Sequence, residues 1–293
     1  MKRLGIRKQA MRLHLSSRVV PVICPEAYNS IYHRRATNQH LYNIDGEALN
    51  DKLISSLDST GFIRRPSLFR YKQYIDAFLK NNVASRKRKT FLDIGCGTGK
   101  VGLWLSRKTY LSYIGIDFSE VAIQQAKAYI ETSVSRLTAK FLVTDFASTN
   151  LPGESVLVAF SLDSIYLAAS PLLVINETCR VLVKGGLLIF TVYTPSKDMI
   201  CEWLHILRRC GFDIVRCNNV SAYWRKQMRR KHVIRWRNRA AIRKALGVQG
   251  DTELSVTVAM LGKNGHPPYL STHHRFEIFA TKMTFVPFRD NFF

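Results

Sequence analysis

The chain has 293 residues, 46% of them hydrophobic, which is enough for one large domain with appended segments. It contains no apolar run long enough to predict a membrane-spanning helix, and its six cysteines include no C-x-x-C pair of the kind that binds zinc or exchanges disulfides. The formal net charge of +23 lies at the two ends: residues 1–90 carry +12, residues 91–200 are neutral and residues 201–293 carry +11. This distribution predicts a balanced core whose basic flanks attract anions.

The amino-terminal region divides into a basic tail and a helical segment. Residues 1–24 hold basic but no acidic side chains. We interpret them as the tail of a cytoplasmic protein, with a mitochondrial targeting segment as the alternative because its composition is similar. Residues 25–89 are predicted to form a mostly helical cap. In it Tyr28 and Tyr32 are candidate substrate contacts, and ordinary packing is the alternative for each.

Strand-like and helix-like segments alternate from residue 90 to about residue 220. Six short strands are predicted, beginning with "TFLDIG" and "YIGID", and the helices between them include "SEVAIQQAKAYIETSV". Residues 171–183 are predicted as a helix that ends at the glycines of "KGG". "RFEIFATK", residues 275–282, alternates like a last strand. This order predicts an α/β, doubly wound, mostly parallel sheet with ligands at the carboxyl ends of its strands.

A basic insertion separates the sixth strand from the last. Residues 221–246 hold ten Lys or Arg and no acid, and Trp224, Met228 and Trp236 are spaced to form one apolar side of a helix. We expect a helix or helix pair that covers one end of the sheet as a lid. The predicted units are a basic tail (1–24), a helical cap (25–89), a core domain (90–282) with the lid inserted at about 221–264, and a second tail (283–293).

Four glycines follow the first predicted strand in "FLDIGCGTGKVG", residues 91–102. Their spacing permits the dinucleotide fingerprint G-x-G-x-x-G, and Asp117 lies at the distance expected for a ribose-binding carboxylate. Asp93 disfavours a dinucleotide, because a carboxylate about 5 Å from a pyrophosphate in a partly dry cleft costs kilocalories. A ligand with a cationic end and no phosphate suits this strand end better.

S-adenosylmethionine has that chemistry, since it carries an ammonium, a sulfonium, a ribose and an adenine. Asp117 ends the second predicted strand, where it can accept hydrogen bonds from the ribose hydroxyls. Asp145 ends the third, where it can accept from the adenine amino group. Phe118 and Phe146 directly follow these acids and are candidate packing partners of the adenine. Successive strand ends therefore carry groups that match this cofactor.

With "LDIGCGTG", "GIDFSE", "TDF" and "CRVLVKGGLLIF", the sequence resembles the class I S-adenosylmethionine-dependent methyltransferases over residues 90–220 and 275–282. The resemblance implies a seven-stranded Rossmann-like sheet with an antiparallel last strand. It also implies that Asp93 holds the methionine end of the cofactor, directly or through water. The other cofactor contacts that it implies are Gly95, Gly97, Gly99, Asp117 and Asp145. A doubly wound protein with another nucleotide, or with none, is the alternative.

The segment after the fourth strand, "SLDSIYLAAS", bears on the acceptor. It lacks the Asn/Asp-Pro-Pro-aromatic tetrad of nucleic-acid amino methyltransferases, and it is similar to a bacterial group of small-molecule methyltransferases with a helix after strand six. Asp163 and Tyr166 are the candidate catalytic residues, as a general base or, as we favour, as a wall of the pocket, because methyl transfer depends mainly on in-line positioning. His205 and His232 are alternative bases, and Trp224 is a candidate acceptor contact.

The predicted function is therefore methyl transfer to a small-molecule acceptor, and two alternatives stay open. One is an RNA methyltransferase whose basic flanks bind phosphates and whose aromatic residues stack on bases. The other is a cofactor-binding protein without catalysis, which the intact acidic and glycine positions disfavour. No metal site is predicted. The sequence leaves the methylated atom and the oligomeric state open.

Overall fold

The computed structural model describes most of the chain after residue 50 and three earlier residues. The described residues are 29, 32, 44, 51–57, 63–82, 89–132, 139–263 and 268–284. The predicted tail 1–24, Tyr28 and most of the predicted tail 283–293 lie outside these ranges. Within them, no helix combines the length and the apolar character needed to cross a lipid bilayer.

Seven strands of the described residues form one sheet. In chain order they are β1 Thr90–Ile94, β2 Ser112–Asp117, β3 Ala139–Val143, β4 Val156–Ser161, β5 Leu182–Thr194, β6 Phe212–Asn219 and β7 His274–Lys282. Their order across the sheet is β3-β2-β1-β4-β5-β7-β6. All paired neighbours run parallel except β7, which is antiparallel to both β5 and β6. The predicted sheet with an antiparallel last strand is confirmed.

Helices cover both faces of this sheet, and three more lie in the segment predicted as a lid. The helices are α1 Lys52–Ser56, α2 Arg65–Asn81, α3 Lys100–Thr109, α4 Glu120–Thr132, α5 Pro171–Val181, α6 Ile200–Arg209, α7 Ser221–Arg237, α8 Arg239–Leu246, α9 Val248–Leu261 and α10 Tyr269–Thr272. We keep the predicted name lid for α7, α8 and α9, which lie between β6 and β7. The basic helix pair predicted over 221–246 corresponds to α7 and α8.

The core lies in two layers because side chains alternate between the faces of a strand. Leu92 and Phe190 belong to the apolar cluster on one face, whereas Phe91 and Ile189 belong to the cluster on the other. Every residue of β4 is buried. A central strand covered by helices on both faces reads as a continuous apolar run, which is the pattern that the sequence showed.

One predicted helix end is wrong. α5 ends at Val181 and β5 begins at Leu182, so "KGG" lies inside the strand and caps no helix. Gly185 has a φ of 72°, and the pairing of β4 with β5 shifts register between Val156 and Val158. The two glycines form a bulge at the start of β5, where the chain needs an extended path with one left-handed residue.

Candidate functional site

The glycine loop joins β1 to α3 at the carboxyl edge of the sheet. Gly95, Gly97 and Gly99 have φ values of 68°, 55° and 75°, in the left-handed region that glycine adopts most readily. Asp117 holds this loop: its Oδ2 accepts from the backbone N–H of Gly97 at 2.9 Å, and its Oδ1 accepts from that of Ser119 at 2.9 Å. Burial raises the pKa of Asp117. Each of its oxygens keeps a lone pair for a further donor, such as a ribose hydroxyl.

Asp93 lies beneath the glycine loop, against α3. Its Oδ2 accepts from the Tyr113 hydroxyl at 2.9 Å, and a Cβ added to Gly102 would come within 2.1 Å of the same oxygen. The fourth glycine of the motif therefore makes room for a carboxylate. Burial raises the pKa of Asp93 to about 7, because desolvation disfavours its charged form. A cation brought to this loop would favour the ionised form.

The predicted adenine contacts lie further along the same edge. Asp145 is exposed two residues beyond the end of β3, and its Oδ1 accepts from the backbone N–H of Ala147 at 2.7 Å. The Phe118 and Phe146 rings have centroids 5.9 Å apart and planes inclined at 65°. At this angle only one of the two rings can lie flat against a given base. The edge thus offers one stacking face and one exposed carboxylate.

Two residues of the amino-terminal cap reach the carboxyl edge of the sheet, Tyr32 at the glycine loop and Asn29 at the start of α4. The Tyr32 hydroxyl lies over Gly97, where an added Cβ would come within 2.5 Å of it. The side chain of Gln125 donates to the Tyr32 carbonyl at 3.1 Å. Asn29 Oδ1 accepts from the Ser119 hydroxyl at 2.6 Å. Tyr32, predicted as a substrate contact, therefore lies at the loop that we assign to the cofactor.

The candidate catalytic residues follow β4. Asp163 has a φ of 57°, and its carboxylate is engaged on both oxygens. Oδ2 accepts from Arg275 Nη2 at 2.6 Å, and Oδ1 accepts from Thr191 Oγ1 at 2.9 Å. The side chains of the ion pair are only 3% exposed for Arg275 and 7% for Asp163. Burial raises the pKa of Asp163 while the charge of Arg275 opposes the rise. This geometry favours a fixed wall over a free base.

An aromatic cluster lies beside this ion pair. The Tyr166 and Tyr193 rings meet edge to face at 5.1 Å, and the Tyr193 and Trp224 rings are 5.0 Å apart. Met228 of α7 and Leu270 of α10 pack into the same cluster. The rings come from the loop after β4, the end of β5 and the lid. Together they form an apolar cluster at this part of the carboxyl edge, in which Tyr193 and Trp224 are buried and Tyr166 is partly exposed.

The alternative bases lie elsewhere. His205 is exposed on α6. His232 is buried in the lid, with Nδ1 3.1 Å from Thr257 Oγ1 of α9. Among the described residues, no group of three or more His, Cys, Asp or Glu side chains could hold a metal ion.

Sequence reasoning missed Arg275, although a signal was present. Alternate residues of a strand share a face, so "RFEIFATK" places Arg275 and Glu277 on one face of β7. β7 is an internal strand of a sheet covered on both faces. Two charges on a buried strand face need partners, and that requirement could have drawn attention to both residues.

The methyltransferase resemblance extends to known proteins. Residues 92–190 match a family model described as a methyltransferase domain. The sterol 24-C-methyltransferase of Pneumocystis carinii is 27% identical over 149 residues, which cover 51% of this chain and 40% of that protein. The chain therefore matches less than half the length of this curated relative.

Solved structures share the fold. The cyclase SpnF superposes with a TM-score of 0.60 at 22% identity, covering 73% of this chain and 81% of SpnF. Phosphoethanolamine N-methyltransferase 2 of Haemonchus contortus, in complex with S-adenosyl-L-methionine, superposes with a TM-score of 0.56 at 18% identity, covering 70% of this chain and 52% of that one. At these identities the likeness concerns the fold. The cyclase shows that one fold serves more than one reaction.

Proposed function

Because the chain belongs to the class I S-adenosylmethionine-dependent methyltransferases, we propose that it transfers a methyl group from this cofactor to a small molecule bound between the loop after β4 and the lid. The cofactor supplies an electrophilic methyl group on a sulfonium. The chain's own residues have to bind and orient the cofactor and the acceptor and to exclude water from the site, because transfer needs mainly an in-line approach at short distance.

The carboxylates and aromatic rings at and beside the glycine loop fit this cofactor. Asp93 is a buried carboxylate that accepts from the neutral hydroxyl of Tyr113, and it suits the ammonium of the methionine end. Asp117 keeps lone pairs for the ribose hydroxyls. Asp145 is exposed at the adenine end, with Phe118 or Phe146 as the stacking face. A pyrophosphate at this loop would instead meet the buried carboxylate of Asp93, which disfavours a dinucleotide.

The aromatic cluster around Tyr193 carries the proposal for the acceptor. Tyr166 is the partly exposed ring of this cluster, and the buried rings of Tyr193 and Trp224 lie behind it. A molecule that packs against Tyr166 contacts a ring rather than a charge, so we propose an apolar or aromatic acceptor. Asp163 and Tyr166 wall this acceptor site. Since both oxygens of Asp163 already have donors, the proposal does not depend on that carboxylate taking a proton.

RNA is the alternative acceptor, and the outer face of the lid favours it. Lys226, Arg229, Arg230 and Arg237 are exposed along α7, and none of them pairs with a carboxylate in the described parts of the chain. Such a row of cations can neutralise phosphates. We define these four residues as the basic row.

The aromatic residues near the basic row weaken that alternative. The Arg64 guanidinium lies 3.6 Å from the ring centroid of Tyr223, and the Arg239 guanidinium lies 5.0 Å from that of Trp236. These rings already carry cations from the chain itself, so a base would have to displace them in order to stack. We therefore propose the small molecule as the acceptor.

The test uses radiolabelled S-adenosylmethionine and a cell extract divided into RNA, protein and metabolite fractions. The proposal expects enzyme-dependent label in the metabolite fraction. Label confined to RNA would favour the alternative, and label in none of the fractions would refute methyl transfer. Boiled protein is the control for label that enters without the enzyme.

A further inference from the structure

Arg275 ties the loop after β4 to a strand that is remote in sequence. Arg275 is the second residue of β7 and lies 112 positions from its partner Asp163 in the sequence. Arg275 Nη2 is 2.6 Å from Asp163 Oδ2. Thr191 of β5 adds two bonds: its hydroxyl donates to Asp163 Oδ1 at 2.9 Å and accepts from the Asp163 backbone N–H at 2.8 Å. Three segments of the chain therefore meet at one carboxylate.

The tether holds Asp163 in a conformation that an L-residue avoids. A φ of 57° is uncommon for a residue with a side chain, and it persists only where the surroundings impose it. The ion pair and the two Thr191 bonds are the described contacts that impose it. Without them, we expect the loop after β4 to relax to an ordinary backbone conformation.

The position of Asp163 determines its neighbours. Ser164 follows it directly and donates to the carbonyl of Ile94 at 2.6 Å, at the end of β1 where the glycine loop begins. Tyr166 lies three residues beyond Asp163, and its ring contacts Tyr193. The same short loop therefore touches the glycine loop at one end and the aromatic cluster at the other.

We propose that Arg275 is a positioning residue for methyl transfer: by holding Asp163, it sets the distance and direction between the cofactor loop and the acceptor wall formed by Tyr166. This inference rests on the proposed function. It assigns Arg275 no contact with either reactant. Its effect should appear in the rate of transfer, because a misplacement of about 1 Å costs about 100-fold in rate.

The test compares Arg275→Met with the conservative Arg275→Lys and with a matched control. Glu277→Gln is the control, because Glu277 is the other buried charge on this face of β7 and is bound by Arg70, Ser67 and Tyr71 of α2. Transfer of label to the metabolite fraction is measured at saturating S-adenosylmethionine. Calorimetry gives the affinity for S-adenosylhomocysteine, and thermal unfolding reports folding.

We expect Arg275→Met to lose about 100-fold in transfer while the affinity for S-adenosylhomocysteine falls by less than about tenfold. Arg275→Lys should recover part of the lost rate, and Glu277→Gln should transfer nearly as the wild type does. Equal transfer by Arg275→Met and wild type would overturn the inference. An equal loss in Glu277→Gln would also overturn it, since the effect would then be general destabilisation.

Thr191→Val keeps the test decisive if Arg275→Met does not fold. This variant removes the hydroxyl that holds Asp163 and leaves the ion pair in place. Reduced transfer with unchanged S-adenosylhomocysteine affinity is expected, and wild-type transfer would overturn the inference. If the wild-type protein labels no fraction, the proposed function itself fails and the inference fails with it.

Discussion

Replacing Asp93 by Asn should stabilise the ligand-free protein and weaken its binding of the cofactor. Burial raises the pKa of Asp93 from an ordinary value of 3.8 to about 7. Between these values the folded protein holds a proton that the unfolded chain has released, so stability falls as the pH rises through this window. The free-energy cost of holding the ionised Asp93 in the folded protein is fully present above about pH 7. At 1.36 kcal/mol per pKa unit, it amounts to at most about 4 kcal/mol.

The variant cannot ionise at this position, and its side-chain oxygen still accepts from Tyr113. Urea unfolding of both proteins from about pH 4 to about pH 8 measures the difference in the free energy of unfolding. The difference should be small at the acid end and approach about 4 kcal/mol in favour of Asp93→Asn at the alkaline end. Asp213→Asn, a change of an exposed aspartate on β6, is the control.

Binding should change in the opposite direction. Loss of a charged hydrogen-bonding partner for the ammonium costs about 1.5–3 kcal/mol, which is about 10- to 150-fold in affinity. The wild-type affinity should rise as the pH passes through 7, because only the ionised Asp93 attracts the cation, and the variant should lack this rise. A variant no more stable than the wild type near pH 8, or a stability difference independent of pH, would refute this reasoning.

Two further predictions concern the lid. Changing Arg229, Arg230 and Arg237 together to Ala should leave transfer to metabolites nearly unchanged and abolish weak RNA binding. If the acceptor were RNA, the same change would instead cut the activity. It would also reduce the slope of log affinity against log salt by about 0.7 per lost phosphate contact. Trp224→Ala removes a ring that is 3% exposed and should lower stability by about 3–5 kcal/mol; transfer should fall while cofactor affinity, measured by calorimetry below the unfolding temperature, stays within about tenfold.

The residues of the proposed cofactor site that the sequence points to are local in the chain. Asp93 and Asp117 lie at the ends of β1 and β2, the glycine loop follows β1, and both strand ends can be recognised from hydrophobic periodicity. Parallel strands bring such ends to one edge of a sheet. Alternation of strands with helices, followed by one further strand, was likewise enough to predict the sheet.

Contacts between segments that are remote in the sequence could not be predicted from local sequence patterns. The pairing of Asp163 with Arg275 depends on the register of β5 against β7, which no local pattern specifies. Arg235 lies in a segment without acidic residues, and its buried pairing with Glu253 of α9 depends on a contact between two helices of the lid. The bulge at Gly185 was misread as a helix cap because a pair of glycines suits both structures.

Calorimetry on the wild type and on Asp117→Ala tests most directly the claim that this edge of the sheet is an S-adenosylmethionine site. The wild type should bind S-adenosylmethionine and S-adenosylhomocysteine with dissociation constants of about micromolar order and should show no binding of NAD. Asp117→Ala should lose about 1.5–3 kcal/mol of that binding, and Asp213→Ala should lose none. Tight binding of NAD by the wild type, or an unchanged affinity of Asp117→Ala for S-adenosylmethionine, would contradict this claim.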